Sequence, residues 1–135
     1  MSQANVEIVK RVMDAHDRRD LDDFDEMTTP DFEWFPAMAV SLGTDVYRGR
    51  KGIKDYFRDS SEAWEDLRDV RSVSEFRDLG DSVLVLSRFA GRGRGSGVEV
   101  DAPLGIVFDL RGGKVSRIRA YLDHAEALRA AGLAE

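Results

Sequence analysis

Residues 103–132, PLGIVFDLRGGKVSRIRAYLDHAEALRAAG, constrain the architecture more than any other stretch of the chain. The run reads as a strand, a tight turn at Gly112-Gly113 and a second strand, followed by a short helix that Asp123 caps. A helix-rich first half followed by strands of this kind implies a sheet curled around a pocket. The strand positions of the run carry few acids, so architecture is legible here sooner than chemistry.

The rest of the chain fits that frame. Val9, Val12, Met13 and His16 fall at helical spacing and predict a first helix. Asp20 is the expected N-cap of a second, short helix that buries Leu21, Phe24 and Met27, and Thr28-Thr29-Pro30 is expected to end it. Residues 31–36 (DFEWFP) read as an aromatic strand stopped by Pro36. Ile53, Tyr56, Phe57, Ala63, Trp64 and Leu67 share one stripe and predict a third helix with a charged opposite side. The period then changes to two. Strands are expected at 70–78, 82–91, 97–110 and 114–122, the second of these apolar on both faces. No repeat or linker interrupts residues 1–135, and one domain is expected.

Composition narrows the function. With 135 residues, 42% of them hydrophobic, the chain is long enough to bury a core without staples. It has no cysteine, which removes disulfides and thiolate metal ligands, and only His16 and His124 offer imidazole, so neither a metal nor a cofactor is expected. A net charge of −6 argues against nucleic acid as a partner. The N-terminal MSQANVEIVKR lacks the apolar centre of a signal peptide and no stretch approaches a membrane span, so no membrane partner and a cytoplasmic location are expected. RGRGSG lacks the Gly-Lys-Ser/Thr ending of a phosphate loop. The acidic run DRRDLDDFDE lacks the spacing of a calcium loop.

Several motifs taken in order, DLDDF after the first helix, DFEWFP, YRGRKGIKDYF at the third helix and DAPLGIVFDLRGGKVSRIRAYLD near the end, resemble the NTF2-like superfamily. Within that superfamily, which includes SnoaL-like polyketide cyclases and ketosteroid isomerases, the closing YLDHAEALRAAGL is most similar to the SnoaL-like branch. The resemblance implies an α+β cone, with three N-terminal helices on a strongly curved, mostly antiparallel sheet and a short C-terminal helix. It also implies a cavity for a small, mostly apolar ligand, and a homodimer formed through the outer face of the sheet. A fold of this breadth does not assign a reaction.

Matched by motif, the ketosteroid isomerase tyrosine falls on Val12, its base on Phe35 and its oxyanion acid on Gly105. The acid that limonene epoxide hydrolase keeps on its last strand falls on Ala120, and Arg88 has Leu86 and Ala90 beside it where that enzyme has an acid. Neither mechanism is therefore expected. If Ala120 faces the cavity, period-two alternation places Ile118 and Leu122 there as well, with Gly105 and Val107 from the neighbouring strand. Arg117, Arg119 and Tyr121 then face outward. Phe35, Tyr56, Phe57 and Trp64 are expected to supply aromatic walls. Trp34 either stacks on a planar ligand or joins a dimer surface.

Three polar residues are candidates for chemistry. His16 lies one turn beyond Val12 and is either a general base or a hydrogen-bonded core histidine. Tyr56, like Tyr47, either donates to a ligand oxygen or packs with its hydroxyl satisfied. Arg88, a charge within an apolar strand, needs Glu75, Glu33 or a ligand anion as partner, and Asp109 is expected to point the same way. The sequence thus supports an acid–base enzyme of isomerase, cyclase or hydratase type acting on a small apolar or aromatic metabolite. The alternative is a non-catalytic ligand-binding or dimerisation module.

Overall fold

The computed structural model describes residues 2–37 and 45–133. Helices α1 (Ser2–Arg18) and α2 (Leu21–Glu26) precede strands β1 (Thr28–Phe35) and β2 (Tyr47–Arg48). Then come helix α3 (Gly49–Ala63) and strands β3 (Trp64–Asp69) and β4 (Glu75–Asp78). Strands β5 (Ser82–Gly93), β6 (Glu99–Arg111) and β7 (Lys114–Tyr121) and helix α4 (His124–Ala130) complete the order. The seven strands form one strongly curled sheet in the order β2-β1-β7-β6-β5-β3, with β4 also pairing β5. Every pairing is antiparallel except that of β1 with β7. The fold class expected from the sequence is therefore the observed one.

Local chemistry explains most of the boundaries. The Asp20 carboxylate accepts the Asp23 backbone N–H at 3.1 Å and starts α2, and that of Asp123 accepts the Ala125 N–H at 2.8 Å and starts α4. Gly112 and Gly113 both have positive φ, +60° and +81°, as a two-residue hairpin turn of this hand requires. The first strand begins three residues earlier than the motif suggests, with Thr28 and Thr29 buried in it. The strand expected at 70–78 begins only at Glu75, behind a 3₁₀ turn at Arg71–Val73.

Helix α3 is shorter than its apolar stripe predicts. It ends at Ala63, and Trp64 is already extended (φ −133°, ψ 146°) and paired with Gly93 of β5. Arg94 holds the junction, its guanidinium donating to the carbonyls of Ser61 and Trp64. Within β3 the register slips between Glu65 and Arg68, where Asp66 takes a left-handed φ of +56°. This bulge keeps Trp64 and Leu67 on one face although they are three residues apart. In sequence, that spacing is indistinguishable from a helical one.

Two cores result. The larger lies between the concave face of the sheet and helices α1–α3, and includes Val9, Val12, Phe32, Ile53, Phe89 and Phe108. The smaller lies on the convex face, where α4 sets Ala127 against Leu84, Leu86 and Val107. The His124 Nε2–H donates to the Ser87 carbonyl at 2.8 Å and ties the start of α4 to the sheet.

Asp31, at the sheet margin, accepts from the Arg111 guanidinium at 2.6 Å and from the Thr29 hydroxyl at 2.7 Å. The Arg111 bond first, and then that of Thr29, holds its carboxyl down at about 2. A lowered folded-state value gives stability that is present above 3.8 and lost as pH falls through about 2. Solvent screens so exposed a pair, and the stability at stake is small. In a carboxyl NMR titration Asp31 is expected to titrate near 2 in the wild-type chain. In Arg111→Ala it should return most of the way to the ordinary carboxylate range.

Candidate functional site

The cavity sits inside the curl of the sheet, roofed by α1 and α3, with about 80 Å³ open to water-sized molecules. That is room for several waters or a small ligand. Its walls are apolar and aromatic over most of their area: Val12, Phe24, Trp34, Trp64, Phe89 and Phe108 all line it. Polar side chains gather at His16, Tyr56, Ser60, Arg68 and Asp69.

At the centre of this polar group His16 bridges two partners. Its Nδ1 lies 3.0 Å from Asp17 Oδ1 and its Nε2 lies 2.8 Å from the Tyr56 hydroxyl. A carboxylate can only accept, so in the neutral imidazole Nδ1 carries the hydrogen and Nε2 takes that of Tyr56. The His16 and Tyr56 rings stack at 5.5 Å, and Trp34 meets Tyr56 edge-on at 5.3 Å. Arg19, in a left-handed turn at the end of α1, fixes the backbone here by donating to the His16 carbonyl at 2.7 Å.

Burial pushes the Tyr56 hydroxyl far above the ordinary tyrosine range. The phenol therefore serves as a hydrogen-bond donor, not as a phenolate. A raised folded-state value means that its contribution to stability is complete below about pH 10 and is lost as pH rises beyond that. Urea denaturation at pH 8 and pH 11 should show the wild-type chain losing stability relative to Tyr56→Phe at the higher pH. A constant gap between the two would place the phenol in a more hydrated setting.

His16, Asp17 and Asp69 each bring a ligand atom within 4.8 Å of the others, the one grouping of metal-ligand composition among the described residues. Three donors are the minimum for a catalytic type of metal site. To serve as one of them, His16 would exchange its bond to Asp17 or to Tyr56 for the ion.

Of the residues singled out in the sequence, Val12, His16, Trp34, Tyr56, Trp64, Ile118 and Ala120 meet at this cavity. The others do not. Phe35 follows Trp34 in an extended strand and so projects from the opposite face. Phe57 packs edge-on against Phe24 at 5.8 Å, behind the wall and not on it. Leu122, past the end of β7, is 44% exposed. Gly105 and Val107 lie on the convex face under α4. Their places in the cavity are taken by Leu104, Ile106 and Phe108.

Arg88 is also displaced. It projects from the convex face, where its Nε donates to Asp101 at 2.9 Å. Its expected partners are engaged elsewhere, Glu33 with Arg48 and Glu75 with Arg77. Asp109 pairs with Arg117 at 2.9 Å. Tyr47 donates to Asp59 at 2.8 Å and does not line the cavity. Arg68 and Asp69 were not singled out in the sequence because they fall between the helical stripe, which ends at Leu67, and the strand expected from Val70; in the structure both belong to β3 and line the cavity.

The model of the SnoaL-like domain family matches residues 9–118, most of the chain. The chain belongs to the SnoaL-like family. Similar structures to this SnoaL-like protein include an NTF2-like protein from Burkholderia xenovorans LB400, 27% identical, covering 96% of this chain and 97% of that one at a TM-score of 0.79. A candidate SnoaL-like polyketide cyclase from Jannaschia sp. CCS1 is 26% identical, covering 98% and 92%, at a TM-score of 0.74. TerC, co-crystallised with polyporic acid, is 21% identical over 96% and 97% at a TM-score of 0.76, and shows the shared fold alone. No curated protein matches the chain. No helix among the described residues is long and apolar enough to cross a membrane.

Proposed function

We propose that this SnoaL-like protein, acting as one unit over its whole length, binds a small apolar or aromatic molecule in the cavity. There it performs acid–base chemistry of isomerase, cyclase or hydratase type. The observation that carries the reading is the hydrogen-bonded chain Asp17–His16–Tyr56 set into the wall of an otherwise apolar cavity. A general base of this kind needs a lone pair oriented by a second group, and Asp17 orients His16 so that Nε2 is the basic atom. When Nε2 takes a proton it becomes a donor to the Tyr56 oxygen, and the Tyr56 hydrogen is released to turn toward a ligand. The pair can thus accept a proton and donate one at the same place. The position matched to the isomerase tyrosine, Val12, and that matched to the hydrolase acid, Ala120, are apolar, so the proton handling falls to His16 and Tyr56.

A second reading, binding without turnover, is favoured by the closed bond between His16 and Tyr56, which leaves both satisfied in the absence of any ligand. We also place the chain in the cytoplasm, since a cysteine-free composition suits a reducing compartment, and in a homodimer through the uncovered part of the convex face.

Native mass spectrometry of the purified chain tests the cavity. The expected result is a small unsaturated molecule retained under native conditions and released on denaturation. That molecule, incubated with the protein and followed by NMR, separates the two readings: conversion supports the enzyme, unchanged recovery the binder. A chain that carries nothing and binds no small aromatic compound at millimolar concentration would overturn both.

A further inference from the structure

Arg19, the residue after α1, is held in a conformation and a setting that an arginine does not favour. Its φ of +57° lies in the left-handed region, which residues other than glycine rarely adopt. The turn has the bonds of a glycine-type helix end, Arg19 N–H to the His16 carbonyl at 3.1 Å and Asp20 N–H to that of Ala15 at 3.0 Å. Glycine would serve it better. The Arg19 side chain is half-buried, and its Nε–H has no acceptor among the described residues. The acids nearest in sequence are engaged elsewhere, Asp17 with His16, and Asp20 and Asp23 with Arg18. A strained, half-buried cation of this kind points to a use for its charge.

Its surroundings show where that charge acts. One guanidinium nitrogen donates to the His16 carbonyl at 2.7 Å, and the group stands over the Phe57 ring at 5.8 Å. Phe57 in turn meets the ring of Tyr56 at 6.0 Å and that of His16 at 6.4 Å. The cation therefore sits behind the cavity wall, one aromatic ring away from the hydrogen-bonded pair, where little water screens it.

We propose that Arg19 is a positioning residue for the His16–Tyr56 pair, clamping α1 at His16 and holding a positive charge that makes the Tyr56 hydroxyl a stronger hydrogen-bond donor. The inference rests on the pair being the proton-handling group, as proposed above, and adds the residue that tunes it. Burial raises Tyr56, and the Arg19 charge opposes burial, while Asp69, Tyr47 and Asp17 act in the same direction as burial. A phenol near a cation gives up its hydrogen more readily, which is what the pair requires when Tyr56 turns toward a ligand.

The test uses the whole chain without ligand and with tyrosine labelled at ¹³Cζ, whose resonance moves downfield as the phenol gives up its hydrogen. The chain has three tyrosines, Tyr47, Tyr56 and Tyr121, so three signals are expected, assigned by Tyr→Phe variants. Arg19→Gln keeps an N–H for the His16 carbonyl and loses the charge; Arg19→Lys keeps the charge and loses the planar group. At fixed pH the Tyr56 signal is expected to move upfield in Arg19→Gln and to stay near wild type in Arg19→Lys. Tyr47, also buried and bonded to Asp59, should not move in either. A stationary Tyr56 signal in Arg19→Gln, an equal shift in Arg19→Lys or a matching shift of Tyr47 would each overturn the proposal. If the glutamine and lysine variants do not fold by circular dichroism, Arg19→Gly, which the left-handed turn favours, should show the upfield shift of Tyr56 alone. If that variant does not fold either, Arg19 serves the fold and the proposal falls. Because no ligand is added, failure here leaves the cavity reading standing, and failure of the cavity test leaves the effect of Arg19 on Tyr56 measurable.

Discussion

His16→Ala is expected to slow any proton-transfer reaction in the cavity by about 10²–10⁴-fold while changing ligand affinity much less, the usual range for loss of a positioned acid–base group. The expectation follows from geometry. His16 Nε2 is held 2.8 Å from Tyr56, and Asp17 fixes the ring from the other side at 3.0 Å. Most of the surface that a ligand would touch belongs to the apolar walls, which the substitution leaves in place. The variant also leaves the buried Tyr56 hydroxyl without its imidazole, which adds about 1–3 kcal/mol of destabilisation. Turnover must therefore be read at a temperature where both proteins are folded, as shown by circular dichroism. Asp17→Asn supplies the discriminating control. It keeps the shape but offers Nδ1 a group that can also donate, so the tautomer is no longer fixed. A shifted pH–rate profile with near-normal binding would assign Asp17 a positioning role. Unchanged turnover in His16→Ala would remove the pair from the chemistry and leave the binding reading.

How much of this site was legible in the sequence depended on whether local patterns were interrupted. Helix α1 is regular, and its spacing alone brought Val12 and His16 to the cavity. The hairpin of β6 and β7 is not regular. Counted straight back from the closing pair Arg111–Lys114, the register would set Gly105 opposite Ala120 and Val107 opposite Ile118, and all four would face inward. The observed pairs are instead Ile106 with Ala120 and Phe108 with Ile118, because the register slips by one residue next to Asp109, where Ser116 is extra. A slip of one residue exchanges the two faces of a strand. This bulge moved Gly105 and Val107 outside and brought Leu104, Ile106 and Phe108 in. Its trace in the sequence is a single serine, whose hydroxyl donates to the Asp109 carbonyl at 3.2 Å. The bulge in β3 had the opposite effect, giving a strand the spacing of a helix. Arg88 was misplaced for a different reason. Strand β5 is apolar on both sides because α4 covers much of its outer face, and one charge among apolar residues then looks inward-facing when it marks the edge of that cover.

Gly105→Ala is expected to destabilise the chain by about 1–3 kcal/mol, a fall of roughly 3–10 °C in melting temperature, although the new residue is the smallest that carries a side chain. A Cβ on Gly105 would collide with the Cβ of Ala127, and the α4 backbone at His124 lies only 3.7 Å away. Relief requires α4 to lift, and lifting it exposes Leu84, Leu86 and Val107. It also strains the bond from His124 to the Ser87 carbonyl. Gly105 is thus a packing position on the convex face, where the absence of a side chain lets helix and sheet approach closely. The decisive comparison is a double-mutant cycle with Ala127→Gly. By itself Ala127→Gly costs about 1 kcal/mol in helix propensity. Combined with Gly105→Ala it returns the space that the new methyl needs, so the double variant should be more stable than the sum of the two losses by at least about 1 kcal/mol. Urea denaturation measures the cycle, and limited proteolysis should show α4 released in Gly105→Ala and re-protected in the double variant. Strict additivity would mean that helix and sheet do not meet at these two residues. Because the cavity lies on the opposite face of β6, binding of a cavity ligand to the folded fraction of Gly105→Ala should stay close to wild type, which separates the support role of this face from the chemistry of the other.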